Sequence, residues 1–206
     1  MDRLDRLMAT AGPLLHRVDD LLALAGAPPE HRVWAELRRV HLLPGDAAQA
    51  VTALRPDELR EAAPELRADA RAYAVLAESL PAPGEWTGSA AEAYDMTRQR
   101  VATHLSGGPD SLGERLQETA DLADELVTWM RSARDGLAET LAEVLTSSEA
   151  VSLARTEVDS VAALEQSEAA AEVAAQVLQA IAESYETGAE LLSSSRRLTE
   201  AVPAIR

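Results

Sequence analysis

The arrangement of this chain is decided by residues 84–94, which read GEWTGSAAEAY. Apolar residues recur at helical spacing up to Leu80, and the run Pro-Ala-Pro-Gly at 81–84 then ends the helix, because proline lacks a backbone donor and glycine permits a sharp reversal. Small and helix-favouring residues begin a new helix at Ser89. We therefore expect a helix–turn–helix corner in which the ring of Trp86 is buried against both helices, while Gly88 lets the turn close beneath it.

Amphipathic helices are predicted upstream of this corner as well. The first contains apolar residues at steps of three and four from Leu4 to Ala25, and the pair Gly12-Pro13 predicts a kink or a short break within it. A second helix is expected over 29–42 and is closed by the run Pro-Gly-Asp at 44–46. Two helical turns are possible over 47–54. A third helix either begins at Pro56 and is kinked at Pro64, or begins at Pro64, and it leads to the corner with Leu66, Tyr73 and Leu76 on its inner face.

Two long helices are predicted downstream. After a break at 106–110, Asp110 or Ser111 can cap a new helix, with Glu114 as the reciprocal partner. Its apolar seam runs to Val144 and contains one charged residue, Arg134. A polar stretch at 146–149 forms either a turn or a frayed point in one long rod. The last helix is expected over 151–202, where apolar residues recur every four positions as far as Tyr185.

The composition favours helix over sheet. Alanine, leucine, glutamate and arginine dominate, phenylalanine is absent, and aromatic residues make up 3% of the chain. We therefore predict an all-α fold: an elongated antiparallel helical bundle with the Trp-x-Gly corner and two long C-terminal helices. Residues 1–44 would form an N-terminal helical pair and residues 45–206 a second bundle, packed together as one elongated domain.

The charge balance limits the partners that this chain can bind. It has 35 acidic and 19 basic residues, a net charge of −16, so that nucleic acid and anionic membrane surfaces are disfavoured. We expect no membrane span, because no apolar run approaches the roughly 20 residues required. The charged N-terminus predicts no cleaved leader. Without cysteine the chain has neither disulfides nor thiol chemistry.

We find no catalytic or metal-binding pattern in the sequence and expect neither enzyme activity nor a cofactor. The histidines, His16, His31, His41 and His104, are not spaced as a ligand pair, and no di-iron Glu-x-x-His repeat occurs. Gly107-Gly108 is too short for a phosphate loop, and the chain contains no lysine. The serines lack a nucleophile-elbow setting.

Three positions are candidate interaction residues. The ring of Trp86 would anchor a protein partner if it were partly exposed, since aromatic residues dominate interface energetics. Arg134 either faces an acidic residue and fixes the register of its helix, or extends from the edge of the seam to solvent, and we favour the second. Tyr185 is the aromatic residue at the end of the last apolar stripe.

The corner resembles the WXG100 family, the small helical-hairpin proteins exported by type VII (ESX) secretion systems of actinobacteria and related Gram-positive bacteria. The matching residues are Trp86 and Gly88 in the turn, the Ala-Ala pair at 90–91, and Tyr94 on the second helix. The resemblance covers roughly residues 66–145 of a chain about twice the family's length. The tyrosine-based export signal is missing, because Arg98 rather than an acidic residue lies four positions after Tyr94. Ala189 lies at the same distance from Tyr185.

This resemblance implies a non-enzymatic protein associated with type VII secretion, either as an exported substrate or as the targeting domain of an effector. Its partners would be secretion machinery or a WXG-type protein, with self-association also open, and its route out of the cell would need no leader. The alternative is a cytoplasmic helical adaptor or chaperone for a secreted effector.

Overall fold

The structure is a computed structural model that describes residues 2–154 and 160–195, with the backbone alone for 160–164. Within these residues the regular structure is helical and no strand occurs, which confirms the predicted all-α helical fold. The helices are α1 (Arg3–Ala25), α2 (Val33–Val40), α3 (Pro44–Thr52), α4 (Pro56–Leu59), α5 (Ala62–Ser79), α6 (Ser89–Leu105), α7 (Leu112–Leu145), α8 (Ser148–Ala154) and α9 (Ser160–Ser194).

Helix α1 runs without a break through Pro13, contrary to the break that Gly12-Pro13 suggested. It begins at a reciprocal cap, in which the side chains of Asp2 and Asp5 each accept the backbone N–H of the other. Its apolar face is buried along the whole length, from Leu4 to Leu22. We infer that packing of this face outweighs the hydrogen bond that proline removes.

The run Pro-Gly-Asp at 44–46 begins α3 and does not merely close the preceding helix, so this part of the prediction was wrong. Proline suits the first position of a helix, where its missing N–H would have no intrahelical partner. Asp19 of α1 accepts the N–H of Gly45 with both carboxylate oxygens, each at 3.1 Å. A long-range side chain therefore supplies the cap that no residue next to α3 provides.

The chain divides into two compact units. The first contains residues 1–55 and 129–189, and the second contains residues 56–128 with the described residues from 190 onward. This division runs elsewhere than the predicted boundary after residue 44. The first unit has a core of large aliphatic side chains from α1, α7, α8 and α9, including Leu4, Leu15, Leu137, Leu141, Leu153, Leu178 and Ile181.

The described core of the second unit is made of small side chains. Its buried apolar residues are Ala63, Ala77, Ala91, Ala120 and Val127. Two details differ from the predicted inner faces, because Ala91 rather than Ala90 is buried on α6, and Leu76 of α5 is 48% exposed. Among the larger apolar side chains of α5 and α6, Leu66 and Tyr73 are half-buried, whereas Val75 and Met96 are exposed.

The two long helices α7 and α9 were predicted correctly within the described residues. Ser111 caps α7 by accepting the N–H of Glu114 at 3.3 Å, and the predicted seam is buried at Ala120, Val127 and Leu137. The polar stretch at 146–149 is a true interruption, because α7 ends at Leu145 and α8 begins at Ser148. The predicted helix over 151–202 corresponds to part of α8 and to α9; its residues 155–159 and 196–202 lie outside the described residues.

Candidate functional site

The Trp-x-Gly corner lies in the turn between α5 and α6, as the sequence predicted. The N–H of Trp86 donates to the carbonyl of Pro83 at 3.2 Å, which closes the turn. Gly88 stands at the N-cap of α6 with φ +98°, a conformation that side chains other than glycine rarely adopt. No atom lies within 4 Å of the position a Cβ would take there, so the backbone conformation alone calls for glycine.

The indole of Trp86 is not buried between the helices; the prediction was wrong on this point, because the side chain is 51% exposed. The ring instead lies beside that of Tyr94, with centroids 5.8 Å apart and planes tilted by 47°. The Tyr94 hydroxyl donates to the carbonyl of Pro81 at 2.8 Å. The buried residues next to the turn are instead Ala77 of α5 and Ala91 of α6.

The surface of this aromatic pair stays accessible. One end of Tyr94 is bound to the start of the turn, and its ring supports that of Trp86. Met96 of the same hairpin is also exposed, at 59%. Partly exposed aromatic side chains are among the residues that dominate the energetics of protein interfaces in general.

Arg134 is 6% exposed, and the expectation that it extends to solvent was wrong. Its Nε donates to Asp2 at 2.8 Å and its Nη2 to Asp5 at 2.9 Å. Its Nη1 donates to carbonyls at the C-terminal end of α3, including that of Leu54 at 3.2 Å. The guanidinium thus holds the beginning of α1 and the end of α3 on α7, where a cation also complements the helix dipole. Its donors are satisfied within the chain, so Arg134 fixes the register of its helix.

Tyr185 packs against Trp129 of α7, with ring centroids 6.5 Å apart. Burial raises the pKa of the Tyr185 hydroxyl. The indole N–H of Trp129 donates to the carbonyl of Ser184 at 2.7 Å, so the ring lies directly on the backbone of α9. Gly188 makes this approach possible, because a Cβ there would lie 2.7 Å from the indole. Gly188 was not predicted as a packing position, although a glycine inside a long helix is a signal of one.

An open cavity of about 320 Å³ lies elsewhere in the first unit. Glu172 at its edge is engaged by Arg32, which lowers the pKa of that carboxyl despite partial burial. No cluster of three or more ligand residues suited to a metal ion occurs within the part of the chain that the structure describes. The charged and imidazole side chains that line the cavity are His31, Glu149, Glu165, Glu168 and Glu172.

The structure thus brings three of the predicted residues together at one corner, Trp86, Gly88 and Tyr94, whereas Arg134 and Tyr185 belong to the first unit. Within residues 2–154 and 160–195, no helix combines the length and apolar character needed to cross a bilayer. Comparison of the chain with protein-family models, curated proteins and solved structures finds no match.

Proposed function

We propose that this chain is a WXG100-like helical protein associated with type VII secretion, as an exported substrate or as the targeting domain of an effector. It acts by binding protein partners through the corner between α5 and α6 and not by catalysis. The observation that carries the proposal is the half-exposed indole of Trp86, held beside Tyr94 in a Trp-x-Gly turn that joins two packed helices.

The geometry supports this proposal in two ways. The Trp-x-Gly sequence lies in a turn between two helices, and Gly88 has a conformation suited to glycine. The side chain of Trp86 also retains half of its accessible surface, which a partner can cover. Burial of an aromatic side chain at the centre of an interface commonly contributes 2 kcal/mol or more, on the order of a thirtyfold change in affinity.

The second candidate is a cytoplasmic adaptor that binds a secreted effector through the same corner. The missing acidic residue four positions after Tyr94 and Tyr185 favours it, because the tyrosine-based export signal is then absent. Both candidates use the same surface and differ in where the protein ends up.

Export can be tested in an actinobacterial host with and without a functional type VII translocase. We expect the full chain in the culture filtrate of the intact strain and its absence from the filtrate of the mutant strain, with a cytoplasmic marker as the lysis control. Equal amounts in both filtrates would contradict type VII export. Retention inside the cell with a co-purifying effector would establish the adaptor instead.

The binding surface can be tested with Trp86→Ala, after affinity purification from the same host. We expect the partner recovered with the native chain to be lost at least tenfold in the variant, because the aromatic anchor is removed. Leu24→Ala is the matched control, since Leu24 is exposed and lies in the first unit. Equal loss with both variants, or no loss with either, would exclude the corner as the binding site.

A further inference from the structure

Helix α5 buries one face in its own unit and exposes an uncharged face on the opposite side. The inner face includes the buried residues Ala63 and Ala77. On the other side of the helix, about 180° away at 100° per residue, lie four exposed residues that contain no charge: Ala68, Ala72, Val75 and Ser79. The side chain of Val75 is 65% exposed. We call these four residues the outer seam.

The outer seam follows the spacing of a helix-pairing surface. Its residues alternate at steps of four, three and four, as positions d, a, d and a of a heptad do. Two exposed charges of opposite sign flank it on one side, Arg71 and Glu78, each one residue before an a position. Neither side chain forms an ion pair or a side-chain hydrogen bond with any other described residue.

We propose that the outer seam binds the outer seam of a second copy of this chain, with the two α5 helices antiparallel. A two-fold axis then lies near the middle of the seam, and the same side of each helix faces the same side of the other. Arg71 of one copy therefore meets Glu78 of the other, and the symmetry repeats this contact.

The core of the pair is complementary in the same register. Ala72 of one copy lies opposite Val75 of the other, and Ala68 lies opposite Ser79, so each layer combines two side chains that let the helices approach closely. In a parallel pair Arg71 would instead face Leu76, and Glu78 would face a position beyond the end of α5 at Ser79. The antiparallel arrangement thus gives two ion pairs and the parallel arrangement gives none.

The seam spans three helical turns, so the pairing belongs to the range of small and reversible interfaces. Pairing through α5 requires neither the ring of Trp86 nor export. If the chain does not pair, the proposed function is unaffected, and if the proposed function is wrong, the pairing is unaffected.

The charges provide a direct test by sedimentation equilibrium of the full chain. We expect a concentration-dependent dimer, with a dissociation constant that rises about tenfold in Arg71→Glu and in Glu78→Arg, because each substitution replaces both attractions by repulsions. An equimolar mixture of the two variants should associate again, since one copy then carries two acids where the other carries two arginines. The double variant R71E/E78R should also associate.

Glu92→Arg is the matched control, because it makes the same charge change as Glu78→Arg at an exposed position of α6. Circular dichroism of every variant establishes that the helices are intact. A native chain that remains monomeric at all concentrations would overturn the proposal, and so would single variants that associate as well as the native chain. Mixing the two variants without recovery of the dimer would overturn the antiparallel register.

Cross-linking tests the orientation, because the native chain has no cysteine. We expect a mixture of Ala72→Cys and Val75→Cys to form mainly the mixed disulfide under mild oxidation, since these two positions share a layer in the antiparallel pair. Predominant Val75→Cys homodimers would indicate a parallel pair and contradict the proposal.

Discussion

At the scale of single residues, the contact between α7 and α9 depends on the absence of one side chain. A Cβ on Gly188 would lie only 2.7 Å from two ring carbons of Trp129. The indole N–H of Trp129 also donates to the backbone of α9. A contact this short requires movement of a ring that a hydrogen bond and Tyr185 hold in place. The glycine is therefore a condition of the packing, although glycine weakens a helix by about 1 kcal/mol relative to alanine.

Gly188→Ala should lower the free energy of unfolding by about 1–3 kcal/mol, because the cost of overpacking exceeds the gain in helix propensity. Gly136→Ala is the matched control in α7, where nothing lies within 4 Å of the new Cβ. The control should raise the free energy of unfolding by up to about 1 kcal/mol. Urea denaturation followed by circular dichroism measures both, and stabilisation by both variants would exclude the predicted clash.

Arg134→Ala should destabilise the protein. It leaves Asp2 and Asp5 without their cation and removes the donor from carbonyls at the end of α3. Because the side chains of Asp2 and Asp5 are 50% and 31% exposed, they stay solvated, and the cost of the lost hydrogen bonds is about 1–3 kcal/mol. Arg38→Ala, an exposed arginine of α2, should change the free energy of unfolding by no more than about 0.5 kcal/mol. Similar effects of the two variants in thermal denaturation would contradict the role assigned to Arg134.

Asp19 predicts a pH dependence of stability. Burial raises the pKa of Asp19 to about 6, while the Gly45 N–H opposes the rise. Because the folded pKa exceeds the unfolded value of about 3.9, the stability that this group contributes is complete below about pH 4 and is lost as the pH rises through about 6. Asp19→Asn removes this titration. The free energy of unfolding of the variant minus that of the native chain should therefore increase from about pH 4 to about pH 6 and then level off. Urea denaturation across this pH range measures the difference, with Asp20→Asn as the control. If the free energy of unfolding of Asp19→Asn followed the same pH dependence as that of the native chain, the prediction would be wrong.

At the scale of the helices, α1 shows how tertiary packing overrides a local breaker. The helix continues through Pro13, although proline removes one hydrogen bond and clashes with the preceding turn. Its buried residues from Leu4 to Leu22 lie on a single face, which remains continuous only if the helix does. The pattern of apolar residues predicted the helix correctly, whereas the proline pointed to a break that the packing prevents.

Pro13→Ala should therefore stabilise the protein, by up to about 3 kcal/mol, because it restores the missing hydrogen bond without touching the buried face. Pro29→Ala, in the loop between α1 and α2, is the control and should give no such gain. Thermal denaturation of the two variants provides the comparison. A loss of stability in Pro13→Ala would mean that the proline conformation itself is required in α1.

At the scale of the whole molecule, the two units differ in what their described residues bury. The largest fully buried side chains all belong to the first unit, whereas the second buries alanines and Val127. Burial of a leucine or isoleucine side chain contributes about 1.5–3 kcal/mol, and an alanine contributes much less. The Trp86 corner and the outer seam of α5 both lie in the unit with the smaller core.

This difference predicts the order of hydrogen exchange. Amides of α5 and α6 should exchange at lower opening free energy than those of α1 and of α9 between Val173 and Ile181, because fewer large apolar contacts oppose local opening. Exchange measured by mass spectrometry on the full chain provides the test. Uniform protection across all these helices would contradict it. The experiment is best done at low protein concentration, since pairing through α5 would itself add protection.

Much of the fold was predictable because it depends on local chemistry. Ser111 at the start of α7, the end of α1 before Gly26 and the turn at Trp86 all follow from caps, breakers and periodicity within a few residues. The start of α3 was missed because its cap, Asp19, comes from another helix. The exposure of Trp86 was missed because no local pattern shows whether a side chain in a turn packs inward or faces solvent.

The sequence by itself determined that this protein is helical and where α1, α6 and α7 begin and end, because helix propensity, capping and apolar spacing act over one or two turns. Only the tertiary structure decided that Arg134 is buried among carboxylates and carbonyls, that Gly188 receives the ring of Trp129, and that the indole of Trp86 faces outward. The physical reason is that each of these depends on how helices pack against one another in three dimensions, which no local pattern records.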